Sequence, residues 1–183
     1  MIGIKPDVRD LVASLKNDHF ESKRFSIASR LGEIDDEEKV YLLIELLEDK
    51  NPRVREAAVV ALGGRMRKAH ARALGPLLAA LNKETDLEVK KWMVRKLASV
   101  ASVSEKTDKD RAVDVLIGIL KTDQGSLRGI AAESLGWIKD KKAIEPLLEV
   151  LDVEPFYALN ALIEITGERN QEVWKKWSKE KKL

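Results

Sequence analysis

NPRVREAAVVALGG, residues 51–64, reads as one amphipathic helix with Pro52 near its start and the Gly63–Gly64 pair at its end. Pro suits a first helical turn, where its missing N–H removes no bond, and Gly suits a helix terminus. The template returns along the chain. FESKRFSIASRLG, LEVKKWMVRKLA, SLRGIAAESLG and the shorter PFYALNALIEITG align with it through Leu31, Leu62, Leu97, Leu135 and Leu162. Each copy follows a helical stretch of another type: DVRDLVASL, KVYLLIELL, ALGPLLAAL, AVDVLIGIL and AIEPLLEVL, ending at Leu15, Leu47, Leu81, Leu120 and Leu151. Those last leucines are 32, 34, 39 and 31 residues apart, a period that signals stacked supersecondary units. Within the stretches apolar residues recur at three- and four-residue steps, as one buried helical face requires.

Small residues crowd the buried face of the second helix of each pair. Ala28, Ala57, Ala58, Ala61, Ala131 and Ala132 let neighbouring helices approach to near the short end of the usual spacing of about 8–10 Å. An Asp precedes each second helix (Asp18, Asp49, Asp86, Asp123, Asp152) and is expected to accept its first backbone N–H groups. Gly32, Gly63 and Gly136 are expected to end these helices at positive φ. One such hairpin cannot cover its own apolar face, so each copy covers the previous one and a right-handed helical stack follows.

The pattern V-R-x-A-A-x-x-A-L-G after an Asp-containing turn, followed by P-L-L-x-x-L, resembles the HEAT repeat, particularly the short phycobilisome-lyase-type HEAT-like repeats, over about residues 7–166. The expectation is an all-α, right-handed alpha-alpha superhelix in one domain, residues 1–183. It comprises five hairpins (about residues 5–34, 35–68, 69–103, 104–139 and 140–167) and a capping helix over 168–183. In the cap, Trp174 and Trp177 stand at i, i+3 on one side, where they can cover the last hairpin. Partner contact is the other reading of this pair. The resemblance further implies a non-enzymatic scaffold or adaptor. It also implies that Arg24, Arg55, Lys90 and Arg128 pair with the turn Asp of a neighbouring unit.

Departures from the repeat point to candidate contacts. Trp92, Met93 and Lys96 occupy the columns of Ala57, Ala58 and Ala61, in the unit with the longest spacing; the expectation is that the neighbouring unit sits further away and Trp92 fills the gap. In HEAT architecture the exposed positions of the second helices line the concave surface. By column these are Phe25 and Ser29, Glu56 and Val60, Lys91 and Arg95, Gly129 and Glu133, then Phe156 and Asn160. Lys91 and Arg95 are four apart and so adjacent. Trp137 follows Leu135-Gly136 where the second unit has Gly64, a place for a rim anchor or for an indole covered by its neighbour. RMRKAHAR, residues 65–72, places Arg65, Arg67, Lys68 and Arg72 with His70 in an acid-free segment, suited to phosphates or an acidic protein surface or simply to a solvated helix end.

Charge is uneven under a net +2: residues 33–49 carry −7, residues 50–96 carry +8, residues 139–168 carry −4 and residues 169–183 carry +4. The basic middle is the charge feature that bears on partner choice. There are no cysteines, which excludes disulfides and thiolate metal sites. MIGIKPDVRD has no secretory pattern and no apolar run reaches membrane-spanning length, so the expected location is cytoplasmic with no membrane partner. Many Lys and Glu with only Gln124 and Gln171 resemble a thermophile's usage. The histidines, His19 and His70, are far apart, and H-E-x-x-H, the His-Glu pairs of HEAT-like di-iron hydroxylases and the phosphate-loop motif are missing. The expectation is therefore no enzyme activity and no cofactor or metal. A protein partner contacts Lys91, Arg95 and Trp137, with Arg65, Arg67, Lys68 and Arg72 at one side, and the chain is a monomer or weak homo-oligomer. The alternative is nucleic-acid binding. Within it, W-M-V-R at 92–95 superficially resembles a helix of HEAT-like DNA-alkylation-repair glycosylases, although no residue can be assigned as their catalytic Asp.

Overall fold

The computed structural model describes residues 21–33, 39–62 and 68–169, with Glu172, Trp174 and Lys176 beyond them. All regular structure among these residues is helical. The chain divides into two compact units, Met1–Ser104 and Glu105–Leu183, and the division falls within the longest of the leucine spacings.

In the first unit α1 (Glu21–Glu33) is followed by α2 (Lys39–Leu46), α3 (Pro52–Leu62), a 3-10 turn (Lys68–Ala73) that runs into α4 (Leu74–Lys83), and α5 (Leu87–Ala101). Helices α2 and α3 form one hairpin and α4 and α5 the next, while α1, α3 and α5 stack in succession. The second unit repeats the plan with α6 (Lys106–Thr122), α7 (Ser126–Ile138), a 3-10 turn (Lys141–Ala143), α8 (Ile144–Glu149) and α9 (Pro155–Thr166). There α6 pairs with α7, α8 with α9, and α9 stacks on α7. The stretch at 7–15 lies outside the described residues.

The aligned leucines make the cores. Leu31, Leu62, Leu97, Leu120, Leu135 and Leu162 are fully buried, and Leu47, Leu81 and Leu151 nearly so. Each such side chain stabilises the fold by roughly 1.5–3 kcal/mol relative to exposure. Trp174 is also buried, and its Nε1–H donates to the Glu168 carbonyl at 3.4 Å; Trp177 is outside the described residues.

Local chemistry sets the helix ends, with some departures from expectation. Asp86 caps α5, accepting from the N–H groups of Glu88 and Val89 at 3.0 and 3.1 Å. Asp49 acts one step earlier: it accepts from the Asn51 N–H, and Asn51 accepts from the Arg53 N–H, both at 2.8 Å. Asp123 instead ends α6, its N–H bonding to the Ile119 carbonyl at 2.9 Å, and Gly125 at φ 61° leads into α7. Before α9 the cap position is Glu154, which makes no side-chain cap, and Pro155 opens the helix.

The glycines depart furthest from the reading. Gly32 and Gly136 lie inside α1 and α7, and among the described residues the helix ends at positive φ are Lys139 at φ 58° after α7 and Gly167 at φ 78° after α9. What Gly136 supplies is room. A Cβ there would sit 2.8 Å from the Ala161 Cα and 3.1 Å from its Cβ, and one on Gly32 would meet the Ala61 Cβ at 3.3 Å. The Leu-Gly pair therefore marks where the next second helix crosses closest. Gly63 lies outside the described residues.

The expected Arg–Asp clasp is also altered. Arg55 of α3 reaches the next hairpin, donating from Nε and a terminal NH2 nitrogen to the two oxygens of Glu84 at 2.7 and 2.8 Å, and from its other terminal nitrogen to the Asp49 carbonyl at 2.7 Å. Asp86 is occupied by capping, so the longer carboxylate two residues earlier takes the guanidinium. Glu84 also accepts from the N–H groups of Thr85 and Asp86. Burial alone would raise Glu84, but Arg55 and these backbone donors override it and hold it below the ordinary carboxylate value. The Glu84 hydrogen bond raises Arg55 in turn. Arg128 of α7 makes a comparable backbone contact, to the Leu120 carbonyl at 3.2 Å.

Candidate functional site

Stacked second helices bury their small residues against one another, which leaves the columns of Phe25/Glu56 and Ser29/Val60 at the surface. Between α1 and α3 these columns line a groove of about 620 Å³, with Phe25, Ser29 and Gly32 on one wall and Arg53, Glu56 and Val60 on the other. Phe25 and Val60 are exposed. Between α7 and α9 the equivalent columns line a second groove of about 590 Å³, formed by Glu133, Trp137 and Lys139 with Phe156, Tyr157, Asn160 and Glu164. Trp137 is 73% exposed and Phe156 67%. Gly129, expected at the surface, is buried, because the Tyr157 ring lies against it where a side chain would be.

The third second helix, α5, carries the cations. Lys91 is half-buried and bonded to Glu88 at 2.6 Å, one turn earlier. Arg95 is exposed, with its guanidinium carbon 5.5 Å from the Trp92 ring centroid, and the Lys96 ammonium lies 5.8 Å from the same ring. Trp92 is thus flanked by two cations, and Met93 fills the core column beside it, fully buried. Burial, and then the charge of Arg95, pull Lys96 below the ordinary lysine value.

The acid-free segment is only partly available to a ligand. Lys68 is exposed at the start of the 3-10 turn, whereas His70 is buried, 3% exposed, and so does not join a surface patch. Arg72 is exposed but engaged with Tyr41 of α2, donating to its hydroxyl at 2.7 Å and lying 5.5 Å from its ring centroid. Arg72, in the 3-10 turn, thus lies against a first helix, while Lys91 and Arg95 are on a second. Arg65 and Arg67 lie outside the described residues. No group of three His, Asp or Glu suited to a metal ion occurs among the described residues, and no helix among them is long and apolar enough to cross a membrane.

A HEAT-repeat family model matches residues 8–98 and 74–166. The chain is a HEAT-repeat protein. No curated protein matches it. HEAT repeats generally serve as protein-interaction scaffolds, since each hairpin adds surface to the stack without converging reactive groups. In this HEAT protein the exposed columns meet across neighbouring helices in both units. Sequence reasoning missed Tyr157, Tyr41 and Glu84. One signal was available: Gly129 stands in a column otherwise filled by Phe25, Glu56, Lys91 and Phe156, and an absent side chain there leaves a seat for a neighbour's ring.

Proposed function

We propose that this HEAT protein is a non-enzymatic scaffold that binds a protein partner on the surface of its second helices. The observation that supports this best is the recurrence of the exposed columns as grooves in both units, each presenting apolar side chains to water. Exposed apolar patches rimmed by polar residues mark interaction sites. Lys91 and Arg95 are the contacts for an acidic stretch of the partner, and Trp137 is the aromatic anchor. Lys68, Arg65, Arg67 and Arg72 act as accessory cations, with Arg72 first having to leave Tyr41. The proposed setting is a single cytoplasmic domain, monomeric or weakly self-associating.

The test compares partner retention from an extract of the source cells by four forms: the native chain, Trp137→Ala, the pair Lys91→Glu with Arg95→Glu, and the control Arg111→Ala on the exposed side of α6. Loss by the first two variants with retention by the control is expected. Equal retention by all four forms would remove the second-helix surface from consideration. Duplex DNA titrated at two salt concentrations addresses the nucleic-acid alternative: binding whose log–log salt slope is about −0.9 per neutralised phosphate would favour that class instead.

A further inference from the structure

The groove between α7 and α9 is built from rings in a way the other groove is not. Tyr157 is seated on Gly129, where a Cβ would come within 2.7 and 2.8 Å of its ring carbons. In that seat it meets Phe156 edge to face, with centroids 5.2 Å apart and planes at 86°. Trp137 lines the same groove from α7. Three aromatic side chains thus surround one space, and Tyr157 is fixed there by a residue lacking a side chain.

The charge around these rings is negative. Glu164 is already engaged by Lys139 at 2.8 Å, which pulls its carboxyl below the ordinary range. Glu133 is exposed on the groove wall and, among the described residues, has no ion-pair partner. Ring faces carry negative quadrupole density and attract cations, guanidinium above all. The chain applies this rule to itself elsewhere: Trp92 is flanked by Arg95 and Lys96, and Tyr41 is covered by Arg72. Among the described residues no cation of the chain lies over Trp137, Phe156 or Tyr157. The rings and the carboxylate are complementary to a planar cation that the chain does not supply.

We infer that this groove receives an arginine side chain of the partner protein, its guanidinium against Trp137 and the Phe156–Tyr157 pair, with Glu133 as counter-ion. The inference rests on the protein-binding reading above and adds the partner's chemistry at one place. It also separates the two units by charge: α5 offers cations, whereas this groove accepts one.

The experiment uses the full native chain labelled with 15N, titrated separately with N-acetyl-arginine methylamide, its neutral isostere N-acetyl-citrulline methylamide, and N-acetyl-leucine methylamide. The Trp137 indole N–H is the readout, assigned by its loss in Trp137→Phe. The indoles of Trp92, Trp174 and Trp177 are internal controls. The arginine probe is expected to move the Trp137 signal saturably, about fivefold or more tighter than the citrulline probe. Glu133→Gln, an exposed change, should remove most of that preference and leave the citrulline response as it was. Citrulline matching arginine, or a Trp137 signal that arginine does not move, would overturn the inference. A Trp137 signal moved by leucine and not by arginine overturns it while leaving the protein-binding reading in place. That reading fails separately, on equal partner retention by all four forms compared above.

Discussion

In the unit Met1–Ser104 consecutive hairpins are tied by a partly buried ion pair, Arg55 with Glu84, whose side chains are 16% and 2% exposed. In the unit Glu105–Leu183 the ion pairs Lys121–Glu149, Lys139–Glu164 and Lys142–Asp114 are all exposed, and exposed pairs contribute little. There the close fit comes from backbone proximity at Gly136 and Ala161, tighter than the corresponding approach of Gly32 to Ala61. The surfaces differ too, with cations around Trp92 in one unit and uncovered rings beside Glu133 in the other. One repeat can carry both because the aligned leucines bear the burial. The turn, the crossing point and the exposed columns then remain open to different chemistry.

The largest effect should come from the Arg55–Glu84 pair. Arg55→Ala leaves Glu84 buried without its main partner and is expected to destabilise the first unit by about 3 kcal/mol, measured by urea unfolding. Glu84 also titrates. Because its folded pKa lies below its unfolded value, its contribution is complete above an unfolded value of about 4.3 and is lost as the pH falls through the folded one. Glu84→Gln should flatten that acid limb of the stability profile; an unchanged limb would show that other carboxylates set it.

Next in size is the crossing point. Gly136→Ala pushes a methyl into the α9 backbone and should cost about 1–3 kcal/mol. Gly32→Ala, whose nearest neighbour is a methyl at 3.3 Å, should cost clearly less when both are melted side by side. Equal losses would contradict the difference in fit between the units.

Smaller still is Lys96. Its pKa is lowered on folding, so the penalty for holding its charge is present below the folded pKa and is relieved as pH rises toward the unfolded value of about 10.4. Lys96→Met should stabilise the protein near pH 7 by less than about 1 kcal/mol, because the half-exposed head is screened by water, and the gain should shrink above pH of about 10. Net destabilisation would mean that the contact with Trp92 outweighs the burial penalty. The smallest thermal effect is expected for Trp137→Ala and for Lys91→Glu with Arg95→Glu, within about 0.5 kcal/mol, although both should abolish partner binding.

Several features are legible in the sequence. Five leucines in a repeating frame, and the small residues around them, specify paired helices because burial of one face imposes a three- and four-residue rhythm that no other arrangement needs. The exposed columns could be read by the same rhythm, which is why Phe25, Val60, Glu133 and Phe156 lie along grooves. Misreadings arose where one residue type has two uses. Gly136 could serve a positive φ or a close contact, and its own neighbours in sequence do not distinguish them. Asp123 could begin one helix or end another. His70 sits among cations in sequence yet turns inward, since Ala69, His70 and Ala73 are the residues the 3-10 turn buries.

What the chain of residues determined alone is the all-helical hairpin repeat and the rhythm of its buried leucines, because periodicity along a helix is a local property. Tertiary structure decided which carboxylate meets Arg55, which glycine admits a neighbouring backbone, and that Tyr157 rests on Gly129 while Arg72 covers Tyr41. Those outcomes depend on distances between residues roughly thirty positions apart or on competition between neighbouring acceptors. Only the packed helices set them.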